Sequence, residues 1–325
     1  MSRRHLVALL TCSAALAACA SAHGAGPDWR PQASSTLEPG RGPGVTPSGP
    51  IASPSPSGSS SSSGSPSPSG SSSNATDPNV VAKNLTAPIG LAVLPDTTAI
   101  VGERTTGRIV RVQPDPGLPV TTVRTLTGLD GTGDGGLLDL ALSPKYTEDG
   151  LIYAYITTPT DNRVVDFTLG GPVTPVLVGI PRGPSGNQGR IAFDSAGNLL
   201  VGTGDAGQPA LAADPNSLAG KVLRVTPIGT PVAASAVWTS GHHDSVGLCV
   251  DGATGTVIQI ERGAAGVADE VNALKAGASY GWPSATATSS KPVTTVAGAQ
   301  AGLGGCAIVD GALFVSSLSG QELLS

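Results

Sequence analysis

Arg190–Gly204 reads "RIAFDSAGNLLVGTG". A short apolar strand runs into a turn of small and polar residues, and a second apolar strand leads out. The same unit recurs on both sides. "GLAVLPDTTAIVGER" begins at Gly90, "DLALSPKYTEDGLIYAYIT" at Asp139, "GLCVDGATGTVIQIER" at Gly247 and "GCAIVDGALFVSSL" at Gly305. Third strands follow in several units, as "GRIVRVQ", "RVVDFTL" and "GKVLRVTP". The period-two alternation of "LIYAYIT" and "TVIQIER" belongs to strands, and no segment sustains a helical period. A period of roughly 50–60 residues made of antiparallel strands is that of a propeller blade. A large β-sandwich gives no reason for five evenly spaced copies. The fold class is therefore an all-β propeller over residues 80–325, with five units visible. A propeller closes so that no strand edge stays open, and the last unit stops within its blade: either the five units close by themselves or a C-terminal blade is lacking, and the second is expected.

Residues 1–79 are of another kind. Arg3 and Arg4 precede the apolar run "LVALLTCSAALAA" and then Cys19. This is a secretory signal over residues 1–18, too short to span a bilayer. The run suits an ordinary cleaved signal or a lipobox. Leu16-Ala17-Ala18 before a cysteine favours the lipobox, with Cys19 acylated and the protein lipid-anchored on the extracytoplasmic face of the cell membrane. From Cys19 to residue 79 proline, glycine and serine dominate, as in "GPIASPSPSGSSSSSGSPSPSGSSSNATDP". Such a segment has almost nothing apolar to bury and is expected to act as an extended linker, with a mean reach of roughly 45 Å.

Net charge is -5, with 18 basic residues and 3% aromatics. No basic patch with interleaved aromatics appears, which argues against nucleic acid as a partner. Cys12 lies in the signal, leaving Cys249 and Cys306 for the fold. They open successive units at nearly equivalent places, and outside the membrane they are expected to form a disulfide.

"GLLDLALSPKYTEDGLIYAYI", "GRIAFDSAGNLLVGTGDAG", "DPNSLAGKVLRVTP" and "DEVNALKAGASYGWP" occur in this order. From Lys83 to Pro283 the chain resembles the glucose/sorbosone dehydrogenase family of soluble sugar dehydrogenases that use pyrroloquinoline quinone. "YAYITTPTDNRVV" and the lipobox-plus-linker layout are similar to a mycobacterial lipoprotein branch of that family. The resemblance implies a six-bladed propeller with quinone and calcium at the mouth of a central channel.

It also assigns places to residues. "GHHDSVGL" occupies the place of the family's "GHRNPQGL". His242 matches the family histidine, His243 replaces the arginine and Asp244 the asparagine that face the quinone. Arginine grips a carboxylate through a rigid fork, whereas histidine offers single donors and aspartate repels the three carboxylates of the quinone. The family's general base stands four residues before an arginine, where this chain has Gly186 ahead of Arg190. Asp134 stands in place of a glutamine. The implied calcium would be held partly by the carbonyls of Gly263 and Ala264 ahead of Asp269 and Glu270. A metal held by the histidine pair itself is disfavoured, because neighbours in a strand point to opposite faces.

The reading that follows is an envelope lipoprotein that keeps a sugar dehydrogenase scaffold and has lost the chemistry. It would bind a glycan, a small molecule or an envelope protein at the channel mouth, around His243, Asp244, Asp134 and Asp205. The rival is an active aldose dehydrogenase dependent on pyrroloquinoline quinone and calcium, with Asp244, Asp205 or Asp134 as base in place of Gly186.

Overall fold

The computed structural model describes residues 80–325. The signal segment, Cys19 and the linker lie outside the described residues. Five antiparallel sheets follow one another along the chain. Blade 1 holds β1 (Pro88–Val93), β2 (Ala99–Glu103), β3 (Arg108–Val112) and β4 (Thr121–Thr125). Blade 2 holds β5 (Leu137–Leu142), β6 (Ile152–Thr157), β7 (Asn162–Phe167) and β8 (Thr174–Ile180), with a single helical turn, α1 (Tyr146–Asp149), between β5 and β6. Blade 3 holds β9 (Gly189–Phe193), β10 (Leu199–Thr203), β11 (Lys221–Val225) and β12 (Val237–Ser240), with α2 (Pro209–Ala213) between β10 and β11. Blade 4 holds β13 (Asp244–Val250), β14 (Val257–Arg262), β15 (Asp269–Ala273) and β16 (Thr294–Val296). Blade 5 has three strands, β17 (Leu303–Val309), β18 (Ala312–Ser317) and β19 (Glu322–Leu324). The expected propeller is present with five blades; the sixth, which rested on the resemblance, is not among them.

The first strands of successive blades adjoin in the order β1, β5, β9, β13, β17. The sheets stack face to face, so a middle blade is buried on both sides. Strand alternation does the sorting. In β10, Leu199 and Val201 point into the core shared with blade 2, while Leu200 points into the core shared with Trp238, Leu248 and Val257. The outer blades differ: Leu91 and Val93 on β1, and Val309 and Leu323 on blade 5, are more than half exposed.

Polar ties reinforce the inner strands. Arg190 on β9 donates through Nε to the Val246 carbonyl of β13 at 2.8 Å, and through Nη1 to the Leu138 carbonyl of β5. One guanidinium thus joins blades 2, 3 and 4. Asp269 accepts from the amides of Gly302 (2.6 Å) and Leu303 (2.8 Å) and joins blade 4 to blade 5. The same two blades are linked by the Cys249–Cys306 disulfide, with Cα atoms 6.0 Å apart, as their equivalent repeat positions implied. Four of the five inner strands carry a register shift near their starts, between Ile89 and Leu91, Leu137 and Asp139, Ser245 and Gly247, and Leu303 and Cys306. Such bulges re-aim side chains at the rim of a sheet.

Candidate polar site at the rim

The turns that enter the inner strands of blades 2, 3 and 4 supply most of the residues singled out from the sequence. His242 and His243 do not lie in a strand; they precede β13, after Gly241 at φ +74°. Their rings diverge all the same, because each ring bonds to a different residue at the end of β14, although the His243 amide also donates to Glu261 Oε1. The fully buried His242 ring sits between Thr239 Oγ1 at 2.8 Å and Glu261 Oε2 at 3.0 Å, stacked on Tyr280. His243 Nδ1 lies 2.8 Å from the Arg262 carbonyl. A carbonyl only accepts, so Nδ1 carries a proton, and Nε2 is left facing Asp205 Oδ2 at 4.0 Å. The ring meets Trp282 edge-on, with centroids 4.6 Å apart. Among the described residues no group of three or more His, Cys, Asp or Glu side chains is arranged to hold a metal.

Asp205 is buried and well partnered. Its amide donates to the His243 carbonyl, its Oδ1 accepts from the Gly207 amide at 2.8 Å, and its Oδ2 accepts from Trp282 Nε1 at 2.9 Å. Asp134 holds the neighbouring turn. Its carboxylate accepts from the amides of Gly186 (2.7 Å) and Asn187 (3.2 Å) and from Asn187 Nδ2 (2.6 Å). Asn187 is buried and also bonds both ways with Gly183. Gly186 closes the group. Its φ is +70°, and a Cβ there would lie 2.6 Å from Asp205 Oδ1 and from the Gly207 amide nitrogen. Any side chain at this position meets both strain and a filled space.

Asp244, at the start of β13, contrasts with these. It is 9% exposed, and its buried Oδ1 has no hydrogen-bond partner among the described residues. Burial pushes its pKa up to about 6; Arg262 and His243 oppose the shift, and Asp134 and Asp205 add to it. The Tyr155 hydroxyl, reaching in from β6, is likewise buried without a partner. Burial raises it far above the usual phenol range, and the charges of Asp134, Asp161 and Asp244 add to the shift. Its ring fills the space where Gly189 would carry a Cβ.

Beside this group lies a cavity of about 220 Å³, lined by His243, Glu261, Gly263, Ala264, Glu270 and Trp282 among others. The Ala264 carbonyl already accepts from the Val267 amide at 2.8 Å, and Asp269 is spent on Gly263 and on blade 5. Glu270 does reach the cavity; burial, then repulsion from Glu261, raises its pKa.

The structure thus brings together Asp134, Gly186, Asp205, His243 and Asp244, with Gly263 and Ala264 across the cavity from His243. Trp282 and Tyr155 had no assigned role from sequence. Trp282 carried a faint signal, as one of only three tryptophans in the chain; Tyr155 carried none, because its place depends on Gly189 in another blade.

An all-β propeller with a carboxylate-rich polar group at one end of its inner strands is the class that fold and geometry define. The chain belongs to the glucose/sorbosone dehydrogenase family, whose model matches residues 85–303. It is 29% identical to quinoprotein glucose dehydrogenase B of Acinetobacter calcoaceticus, over 64% of this chain and 52% of that one. It is 28% identical to an aldose sugar dehydrogenase of Escherichia coli, over 64% and 62%. An uncharacterised Synechocystis protein is 30% identical over 62% and 58%. The chain therefore spans between 52% and 62% of the length of these relatives. Among solved structures, the quinone-bound aldose sugar dehydrogenase of Streptomyces coelicolor superposes with a TM-score of 0.70 at 36% identity, over 75% of this chain and 78% of that one.

Proposed function

We propose that this protein is an envelope lipoprotein, anchored through Cys19 and held off the membrane by the linker, whose propeller binds a glycan, small molecule or envelope protein without oxidising it. The observation that carries this reading is Gly186. The place where the family resemblance puts a catalytic histidine holds a glycine whose Cβ direction is filled by Asp205 and the 206–207 backbone. Loss of a general base typically costs about 10²–10⁴-fold, and here the position has no room for one.

The donor set fits the quinone poorly. Asp134, Asp205 and Asp244 surround the place where a tricarboxylate would sit, and the arginines nearby are turned to backbone carbonyls: Arg104 to Gly133 and Gly135, Arg190 to Leu138 and Val246, Arg262 to Leu303. For calcium, the Gly263 and Ala264 carbonyls and Glu270 offer fewer oxygens than the six to eight the ion usually takes. No step through either group is derived.

The exposed apolar residues on β1 and blade 5 support a sixth blade seated between them in the whole protein, and the linker layout supports the mycobacterial lipoprotein branch of the family. One observation favours the rival, an active aldose dehydrogenase: buried Asp244, pushed up to about 6, is poised as a general base. The two readings part in equilibrium dialysis against pyrroloquinoline quinone with calcium. The binding reading expects no retention of quinone; stoichiometric retention would reject it. For the anchor, Cys19→Ala is expected to move the protein from the membrane fraction to the medium. An unchanged distribution would reject acylation at Cys19.

A further inference from the structure

Resting on the binding reading above, we propose that the cavity beside His243 takes a small alkylated ammonium compound, a cation whose nitrogen carries carbon groups rather than hydrogens. The cavity, of about 220 Å³, opens between two loops of blade 4, the turn from β14 to β15 and the residues that follow Tyr280. Val267 and Ala268 line it from the first loop, Trp282, Pro283 and Ala285 from the second, and Glu270 from β15. Its volume lies below the roughly 300–1,000 Å³ of pockets for drug-sized ligands, which restricts the occupant to a small molecule.

Two independent features of the wall specify that occupant. The first is an apolar and aromatic surface that is open to a visitor: Val267 is 54% exposed, Pro283 and Ala285 are exposed, and Trp282 is half-buried. The second is a carboxylate with little to hold. Half-buried Glu270 accepts a single side-chain bond, from Asn272 Nδ2 at 3.3 Å, and among the described residues no basic side chain forms an ion pair with it. No arginine or lysine lines the cavity. Glu261, the other carboxylate on the wall, is already spent: Oε1 accepts from the His243 amide at 2.6 Å, and Oε2 lies 3.0 Å from His242 Nδ1.

The complement follows from charge and from hydrogen-bonding capacity together. An acidic ligand would meet Glu270 with like charge. A neutral polyol needs partners for each hydroxyl, and the valine, alanine and proline surfaces supply none. A primary ammonium has three donors to satisfy and meets the same shortage. An alkylated ammonium has few or no N–H groups to satisfy. Its carbon groups can lie against Val267, Ala268 and Pro283, while its charge is attracted by the Glu270 carboxylate and by the Trp282 ring.

The test is isothermal titration of the 325-residue chain at neutral pH and low salt with choline, with ethanolamine, and with the uncharged alcohol in which carbon replaces the choline nitrogen. Choline is expected to bind about 10-fold more tightly than the neutral alcohol, and more tightly than ethanolamine. The near-isosteric change Glu270→Gln should bring choline down to the level of the alcohol. Equal binding of choline and the alcohol by the wild type would overturn the inference, and so would ethanolamine binding as tightly as choline; either result leaves the binding reading standing. Binding of none of the three would reject the inference on the wild-type chain alone, whatever the variant does. Displacement of choline by micromolar calcium would assign Glu270 to a metal and overturn it too. Retention of the quinone in equilibrium dialysis would overturn both this inference and the reading it rests on.

Discussion

Arg190 and Asp244 sit on adjoining inner strands and are treated in opposite ways. Arg190 spends its guanidinium on the carbonyls of two neighbouring blades. Asp244, no less enclosed, has a buried oxygen with no partner and a raised pKa. Lys221, the other enclosed cation, follows Arg190: its Nζ donates to the carbonyls of Leu211, Ala212 and Ala219 at 2.8–2.9 Å. Asp269 follows it too, accepting from Gly302 and Leu303 across blades. Arg190, Lys221 and Asp269 are thus each bonded to the backbone, and Arg190 and Asp269 hold sheets together. At the rim Asp244 is left unsatisfied. Uncompensated burial costs stability, and on the proposed binding reading a ligand would offset that cost.

Substitutions on the two sides of this divide should differ in sign. Arg190→Ala removes bonds from a charged donor and strands two carbonyls between blades, so a loss of about 3–5 kcal/mol is expected in denaturant unfolding. A loss below about 1 kcal/mol would mean that the guanidinium does not tie the blades. Next comes the disulfide, which closes a separation of 57 residues. Cys249→Ser with Cys306→Ser is expected to cost about 2–4 kcal/mol, and labelling of both thiols in the unreduced wild type would remove the bond itself.

Asp244→Asn should go the other way. The folded carboxyl holds its proton up to about pH 6, above the ordinary carboxylate value. Protonated Asp244 therefore contributes stability fully at low pH, and that contribution is lost as pH rises through about 6. The asparagine variant is expected to gain on the order of 2 kcal/mol near pH 7.5 and nothing near pH 3.5. A loss at neutral pH would show that Asp244 belongs with the frame. The smallest effect is expected at Ile228→Ser, 80% exposed, where a change within about 0.5 kcal/mol fits a surface position. A larger loss would mean that this side chain is packed.

The blades were legible because period-two alternation and a turn recur in each unit, so "NLLVGT" announces a strand buried on both faces without further information. The disulfide was legible because Cys249 and Cys306 stand at nearly equivalent places in successive repeat units. The rim was legible only in part. That His242 and His243 diverge was foreseen for a reason that does not hold: they lie in a turn, and the partners that separate them, Glu261 and Arg262, are on β14. Gly186 could be read as a missing base, but the space that Asp205 denies to any side chain there belongs to another turn. Tyr155 was invisible, since its hydroxyl reaches the site only because Gly189 across the blade boundary has no Cβ. Local pattern writes the sheets; contacts between blades write the site.

The scaffold is that of a sugar dehydrogenase family, and the proposal is that its rim holds a ligand without oxidising it. Dye-linked aldose oxidation by the purified chain, with pyrroloquinoline quinone and calcium added and the Escherichia coli relative as positive control, tests this most directly. No turnover above the quinone-only blank is expected on glucose or any other aldose. Sustained turnover that disappears in Asp244→Asn would contradict it and make Asp244 the base of a working enzyme.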